Sequence, residues 1–124
     1  MVKALFDTNI LIDYLNAVPA ARTELRRYND KAISIITWME FAEGYGDLQA
    51  EDCRLFLSHF PLLPINETIA WRASRFARHL RELGTPIGDH DVWLAATAVE
   101  RDEPLVSRNL EHFRRIDGLR LIGY

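Results

Sequence analysis

Apolar residues fall in short bursts along the chain, and their spacing alternates between that of strands and that of helices. Val2 to Phe6 is an apolar run broken by Lys3 and closed by Asp7-Thr8-Asn9, which predicts a buried first strand. Ile10 to Leu15 then follows helical spacing, and Pro19 breaks that helix or starts the next, over Ala20 to Tyr28, with Leu25 as its clearest apolar contact. Ala32 to Ile36 is β-branched and bounded by polar residues, so it is the second predicted strand. Thr37 opens a predicted helix through Phe41 and Ala42 that ends near Gly44 and Gly46, and Glu51 to Phe60 forms another, stopped by Pro61.

Leu62 to Ile65 reads as a short third strand, confined to a sheet edge because Pro64 lacks a donor for the ladder. Glu67 to Leu83 carries Ile69, Ala73, Phe76, Leu80 and Leu83 on one helical face, with Gly84 suited to its C-terminal cap and Pro86 beyond it. Asp91 to Glu100 is rich in Ala and Leu with few polar positions, so a central helix is expected. Pro104 to Ser107, Leu110 to Arg114 and Leu119 to Ile122 complete the alternation as strand, short helix and last strand. Strands alternating with helices predict an α/β fold, a mainly parallel sheet with helices on both faces. At 124 residues, without a repeat or linker, residues 1–124 are expected to form a single domain.

The parallel sheet gives four scattered polar residues a common address. Asp7, Glu40, Asp91 and Asn109 each stand where a strand is predicted to give way to a helix. Such a sheet delivers the C-terminal ends of its strands to one edge, where ligands bind. Each residue has a plainer role. Asp7 and Asn109 suit helix N-caps, Asp91 suits the first turn of its helix, and Thr37-Trp38-Met39-Glu40 reads as a capping box. Repetition favours a site, since four oxygen-bearing junctions would converge. Three carboxylates in one confined space repel one another unless a cation offsets them, and an all-oxygen set suits Mg²⁺ or Mn²⁺.

Composition narrows the picture. The net charge of −3 is not that of an overtly basic nucleic-acid binder, yet all the basic residues except Lys3 and Lys31 are Arg, which suits local bidentate contacts to phosphate. The Arg72, Arg75, Arg78 and Arg81 faces of the long helix read mainly as solvated surface. Cys53 is the only cysteine, so neither an intrachain disulfide nor a cysteine-based zinc site is possible. No run approaches the roughly 20 apolar residues of a membrane helix. With the opening MVKALFD lacking leader features, a soluble, cytoplasmic protein is expected. Asp89 reads as a solvated loop acid and His90 as a surface or rim residue, while His59, His79 and His112 lack metal-ligand spacing. Trp38, Trp71 and Trp93 are expected in the core or at an interface.

Four segments together resemble the PIN-domain ribonucleases, and among them the VapC-type toxins of VapBC toxin–antitoxin modules. They are Phe6-Asp7-Thr8-Asn9 with Ile10-Leu11-Ile12; Thr37-Trp38-Met39-Glu40; Gly84-Thr85-Pro86-Ile87-Gly88 with Asp91-Val92-Trp93-Leu94-Ala95-Ala96; and Leu105-Val106-Ser107-Arg108-Asn109 with Phe113, Gly118 and Leu119. The similarity covers essentially the whole chain, in order. It implies a metal-dependent endoribonuclease acting on tRNA or another structured RNA. Asp7 and Asp91 would be the main Mg²⁺ (or Mn²⁺) ligands, Glu40 would complete the site directly or through water, and Asn109 would fill a fourth position that is acidic in some members. It also implies a cognate VapB-type antitoxin whose tail fills the acidic groove, and pairing as a homodimer. Two other readings compete. A phospho-signalling receiver is opposed by Thr8-Asn9 after Asp7 and by the absence of any Lys beyond Lys31. A non-catalytic PIN-like module binding RNA or protein is opposed by the presence of all three acids.

Overall fold

The structure, a computed structural model, describes residues 3–124, so Val2 of the expected first strand lies outside the described residues. The elements follow the predicted alternation: β1 (Lys3–Phe6), α1 (Thr8–Leu15), α2 (Pro19–Arg26), β2 (Asp30–Ser34), α3 (Ile35–Ala42), α4 (Ala50–Leu57), β3 (Leu62–Leu63), α5 (Glu67–Glu82), α6 (Asp89–Glu100), β4 (Leu105–Val106), α7 (Leu110–Phe113) and β5 (Leu121–Ile122). A 3₁₀ turn at Asp47–Gln49 leads into α4.

The strands form a sheet in the order β3-β2-β1-β4-β5, and every pairing among the described residues is parallel. β3 is an edge strand, as Pro64 requires. The chain winds outward from β1 to β3 on one side, then crosses to β4 and β5 on the other, so the order reverses between β1 and β4. A crevice opens at such a reversal, beyond the carboxyl ends of the two central strands. Register matters here: Phe6 lies level with Val106, so the next residues, Asp7 and Ser107, leave the sheet side by side.

Alternation along β1 sends side chains to two cores. Ala4 and Phe6 pack with Ile10, Leu11, Leu25, Phe41 and Leu57 from α1–α4, whereas Leu5 packs with Leu80, Leu94, Ala95, Ala98 and Phe113 from α5–α7. Helices therefore cover both faces. A smaller cluster, Ile69, Ala73, Val92 and Ala96, joins α5 to α6. Along α6, residues Leu94 to Ala98 are buried, matching the expectation of a central helix.

Several expected details are corrected. The second strand ends at Ser34 rather than Ile36, because the Ser34 hydroxyl accepts from the Thr37 N–H at 3.1 Å and turns Ile35 and Ile36 into the first turn of α3. The capping box at Thr37 is thus absent, and Glu40 lies inside the helix. Asp89 is an exposed first residue of α6, not a loop residue. Gly84, at φ 73°, closes α5 in the left-handed conformation that glycine adopts freely, but Leu83 is exposed instead of joining the apolar face. Trp38 packs on the core, whereas Trp71 is 64 % exposed, with the Arg75 guanidinium 4.5 Å from its ring centre. Arg72 pairs with Glu100 and Arg78 with Glu82, as a solvated charged face would.

Candidate active site

Asp7 closes β1 and caps α1. Its Oδ1 accepts the Thr8 N–H at 2.7 Å, and its Oδ2 accepts the Ser107 hydroxyl at 2.7 Å across the crevice. The capping role read from sequence is therefore real, but it uses only one oxygen. Asp7 is 6 % exposed, and its pKa is pushed up to about 6, chiefly by burial, with the charges of Asp91 and Glu40 adding to the rise. The Ser107 and Thr8 hydrogen bonds oppose that rise without cancelling it.

Glu40 reaches the same place from α3. Its Oε1 accepts the Thr8 hydroxyl at 3.0 Å, and its Oε2 faces His90 Nδ1 at 3.0 Å. Asp91, in the first turn of α6, meets His112 Nδ1 at 3.0 Å and the Asn109 amide at 3.4 Å. Asn109 holds the N-cap position of α7, yet its side chain does not cap. It turns to Asp91 and His112, while its backbone N–H donates to Ser107 Oγ at 2.9 Å. All four sequence-identified residues thus come together at the β1/β4 reversal. Only Asp7 and Asn109 do so directly from strand ends. Glu40 arrives one turn into a helix, and Asp91 follows the loop after α5.

Sequence reasoning missed the residues that hold the acids in place. His90 and His112, 46 % and 43 % exposed, each contact one carboxylate. Their signals were slight: His90 adjoins Asp91, and His112 follows Asn109 by three, one turn on. Asn9 was also missed. Its amide nitrogen lies 3.4 Å from both Asp7 Oδ2 and Ser107 Oγ, and its Oδ1 accepts the Arg108 N–H at 3.3 Å. Behind it, Asp13 accepts from the Tyr124 hydroxyl at 2.7 Å and from Arg108 Nη1 at 2.8 Å, fastening the last residues of the chain to α1.

The donor set fits a hard divalent cation. It offers the carboxylate oxygens of Asp7, Glu40 and Asp91, and the buried Asp7 charge is destabilised by two neighbouring acids. Among the described residues no three acidic, histidine or cysteine side chains form a ready-made cage for an ion, and hydroxyl and imidazole groups lie within 3.0 Å of carboxylate oxygens of Asp7, Glu40 and Asp91.

Comparison with known proteins identifies the family of this fold. The PIN domain family profile matches residues 4–119. Ribonuclease VapC1 of Methanocaldococcus jannaschii is 35 % identical over 115 residues, covering 92 % of this chain and 81 % of the relative. The tRNA(fMet)-specific endonuclease VapC of Shigella flexneri is 30 % identical over 97 % of this chain and 96 % of its own. A toxin–antitoxin complex from Klebsiella pneumoniae contains a chain that superimposes with a TM-score of 0.82 at 33 % identity, covering 96 % of this chain and 95 % of that one. The chain belongs to the PIN domain family, among the VapC ribonucleases.

Proposed function

We propose that this chain is the endoribonuclease toxin of a type II toxin–antitoxin pair, a hydrolase of RNA phosphodiester bonds with tRNA or another structured RNA as its target. The observation that carries the reading is the meeting of Asp7, Glu40, Asp91 and Asn109 at the β1/β4 crevice of a VapC-related chain. Asp7 and Asp91 would hold Mg²⁺ or Mn²⁺, with Glu40 joining directly or through a water. Such an ion, when bound, acidifies water and polarises a phosphoryl oxygen.

The protein's own groups supply the rest. Glu40, fixed at both oxygens by Thr8 and His90, presents a carboxylate that accepts the proton of an attacking water. Ser107 holds Asp7 against β4, so the carboxylate cannot swing away from the crevice. Asn109 places a neutral amide beside Asp91, able to orient a water or a phosphate oxygen without adding charge. The scissile phosphate would lie at the mouth of this group.

The Klebsiella chain's presence in a toxin–antitoxin complex, and that of related chains in VapBC complexes, supports a VapB-type antitoxin as partner here; that its tail fills the acidic groove is part of the proposal. Pairing as a homodimer is supported by an apolar hollow of about 710 Å³ beside edge strand β3, lined by Ile35, Leu62, Pro64, Ile65 and Trp93 among others. No described helix is long and apolar enough to cross a membrane, and a cytoplasmic location is part of the proposal. Asp91→Asn tests the reading: cleavage of tRNA should be lost while circular dichroism and the melting profile stay close to wild type. Normal turnover by that variant would remove Asp91 from the chemistry.

A further inference from the structure

We propose that Trp71 and Arg75 on α5, with Arg115 just past α7, form a track for the unpaired stretch of RNA that flanks the cut, the two arginines holding phosphates and the indole stacking on a base. RNA as the ligand rests on the nuclease reading above. Trp71, Arg75 and His79 stand four residues apart, so they form one stripe along α5, and all three are exposed. Arg75 and His79 share a hollow of about 240 Å³ with Arg115, over a floor of Phe76, Leu80 and Ile116. Asp117 is the one acid lining it, against two arginines. Neither arginine joins an ion pair among the described residues, whereas Arg72 and Arg78 on the same helix do. Arg75 lies instead over Trp71, 4.5 Å from the ring centre, and a second hollow, lined by Glu67, Thr68, Ala70, Trp71 and Ser74, opens beside that ring.

The track begins at the crevice. His112 meets Asp91 at 3.0 Å, and three residues on Arg115 donates its N–H to the His112 carbonyl at 3.4 Å, so the two stand on one side of the same turn. The order outward from the acids is therefore His112, Arg115, the hollow, Arg75 and Trp71. The crevice presents three acids to a polyanion, and a cationic path starting one turn away offsets that repulsion. A cationic groove joined to exposed aromatic rings holds a single strand through its phosphates and the faces of its bases, with little regard to sequence. Both guanidinium groups stay charged, so the assignment is independent of the state of either histidine.

The test is binding without turnover: the anisotropy of a fluorescent oligouridylate titrated with the purified protein in EDTA, at several salt concentrations. R75Q/R115Q should weaken binding and flatten the slope of log Kd against log salt by about 1.4, since each phosphate contact on a single strand contributes about 0.7. W71A should weaken binding roughly fivefold to a hundredfold without changing that slope, and W71F should recover most of the loss, as base stacking requires. R54Q removes an exposed arginine on α4, outside the track, and should bind as wild type does. Wild-type affinity and slope in both R75Q/R115Q and W71A would overturn the track and leave the patch to an acidic protein segment. A loss in R54Q as large as in R75Q/R115Q would overturn it in favour of diffuse charge, and so would the absence of binding by wild type at low salt. If the binding pattern holds but wild type cleaves no RNA in Mg²⁺ or Mn²⁺, the nuclease reading falls and the RNA track stands.

Discussion

Asp7 carries the largest electrostatic cost in the site. Its pKa of about 6 exceeds the unfolded value of 3.8, so the native state binds the proton more tightly than the unfolded state does. Stability contributed by this group is therefore present below pH 4 and lost as pH rises through 6. In chelator, the stability of Asp7→Asn relative to wild type should rise by on the order of 2–3 kcal/mol between pH 4 and pH 7, read from urea midpoints. A difference that does not change with pH would contradict the burial argument. Glu40 makes a different case. It contributes nothing to capping α3, so Glu40→Gln should leave the melting temperature within a degree or two of wild type while lowering cleavage about a hundredfold or more, the scale of a general base. Full activity in that variant would show that the carboxylate is not used. Asp7 was legible in the sequence because it closes an apolar run, and Glu40 and Asp91 because each stands in or at the start of a predicted helix. Their partners were not: His90 meets Glu40 at a separation of 50 positions, and no local pattern encodes a contact made only by the fold.

The boundary between β2 and α3 decides where Glu40 points. Ala32-Ile33-Ser34-Ile35-Ile36 holds three β-branched isoleucines, so the pattern alone extends the strand by two residues. What ends the strand is one buried hydroxyl, Ser34 Oγ, bonded to the Thr37 N–H. The sequence reading put the cap at Thr37 and passed over Ser34, whose hydroxyl stands three residues earlier, inside the predicted strand. Packing chose Ser34, since Thr37 is fully buried with its hydroxyl 3.5 Å from the Phe6 carbonyl. Ser34→Ala should therefore cost about 1–2 kcal/mol in denaturant titration, the range for an N-cap. Thr37 has no such cap to lose. No loss of stability in Ser34→Ala would return the start of α3 to the Thr37 alternative. The longer elements needed no such arbitration: α5 was visible from apolar residues recurring on one face over several turns, and α6 from a long stretch rich in Ala and Leu with few polar positions.

The whole molecule is organised around the reversal of strand order between β1 and β4, which places Asp7 beside Ser107 and leaves room for α3, α6 and α7 to bring in the other side chains. That topology follows from alternating elements only in outline. The sequence predicted a parallel sheet, and which strands are neighbours emerged from the fold. The apolar hollow beside β3 belongs to this scale too. Leu62→Arg, which puts a charge at a half-exposed position in that hollow, should shift the sedimentation coefficient from dimer to monomer, and an unchanged dimer would place the interface elsewhere. The central claim is that the crevice cleaves RNA with a divalent cation held by its acids. It is tested most directly by incubating total cellular RNA with the purified, antitoxin-free protein in Mg²⁺, in Mn²⁺ and in EDTA, with Asp7→Asn prepared in parallel. The account predicts discrete fragments in at least one metal, none in EDTA and none from the variant. Cutting that persists in EDTA, or in Asp7→Asn, would contradict it.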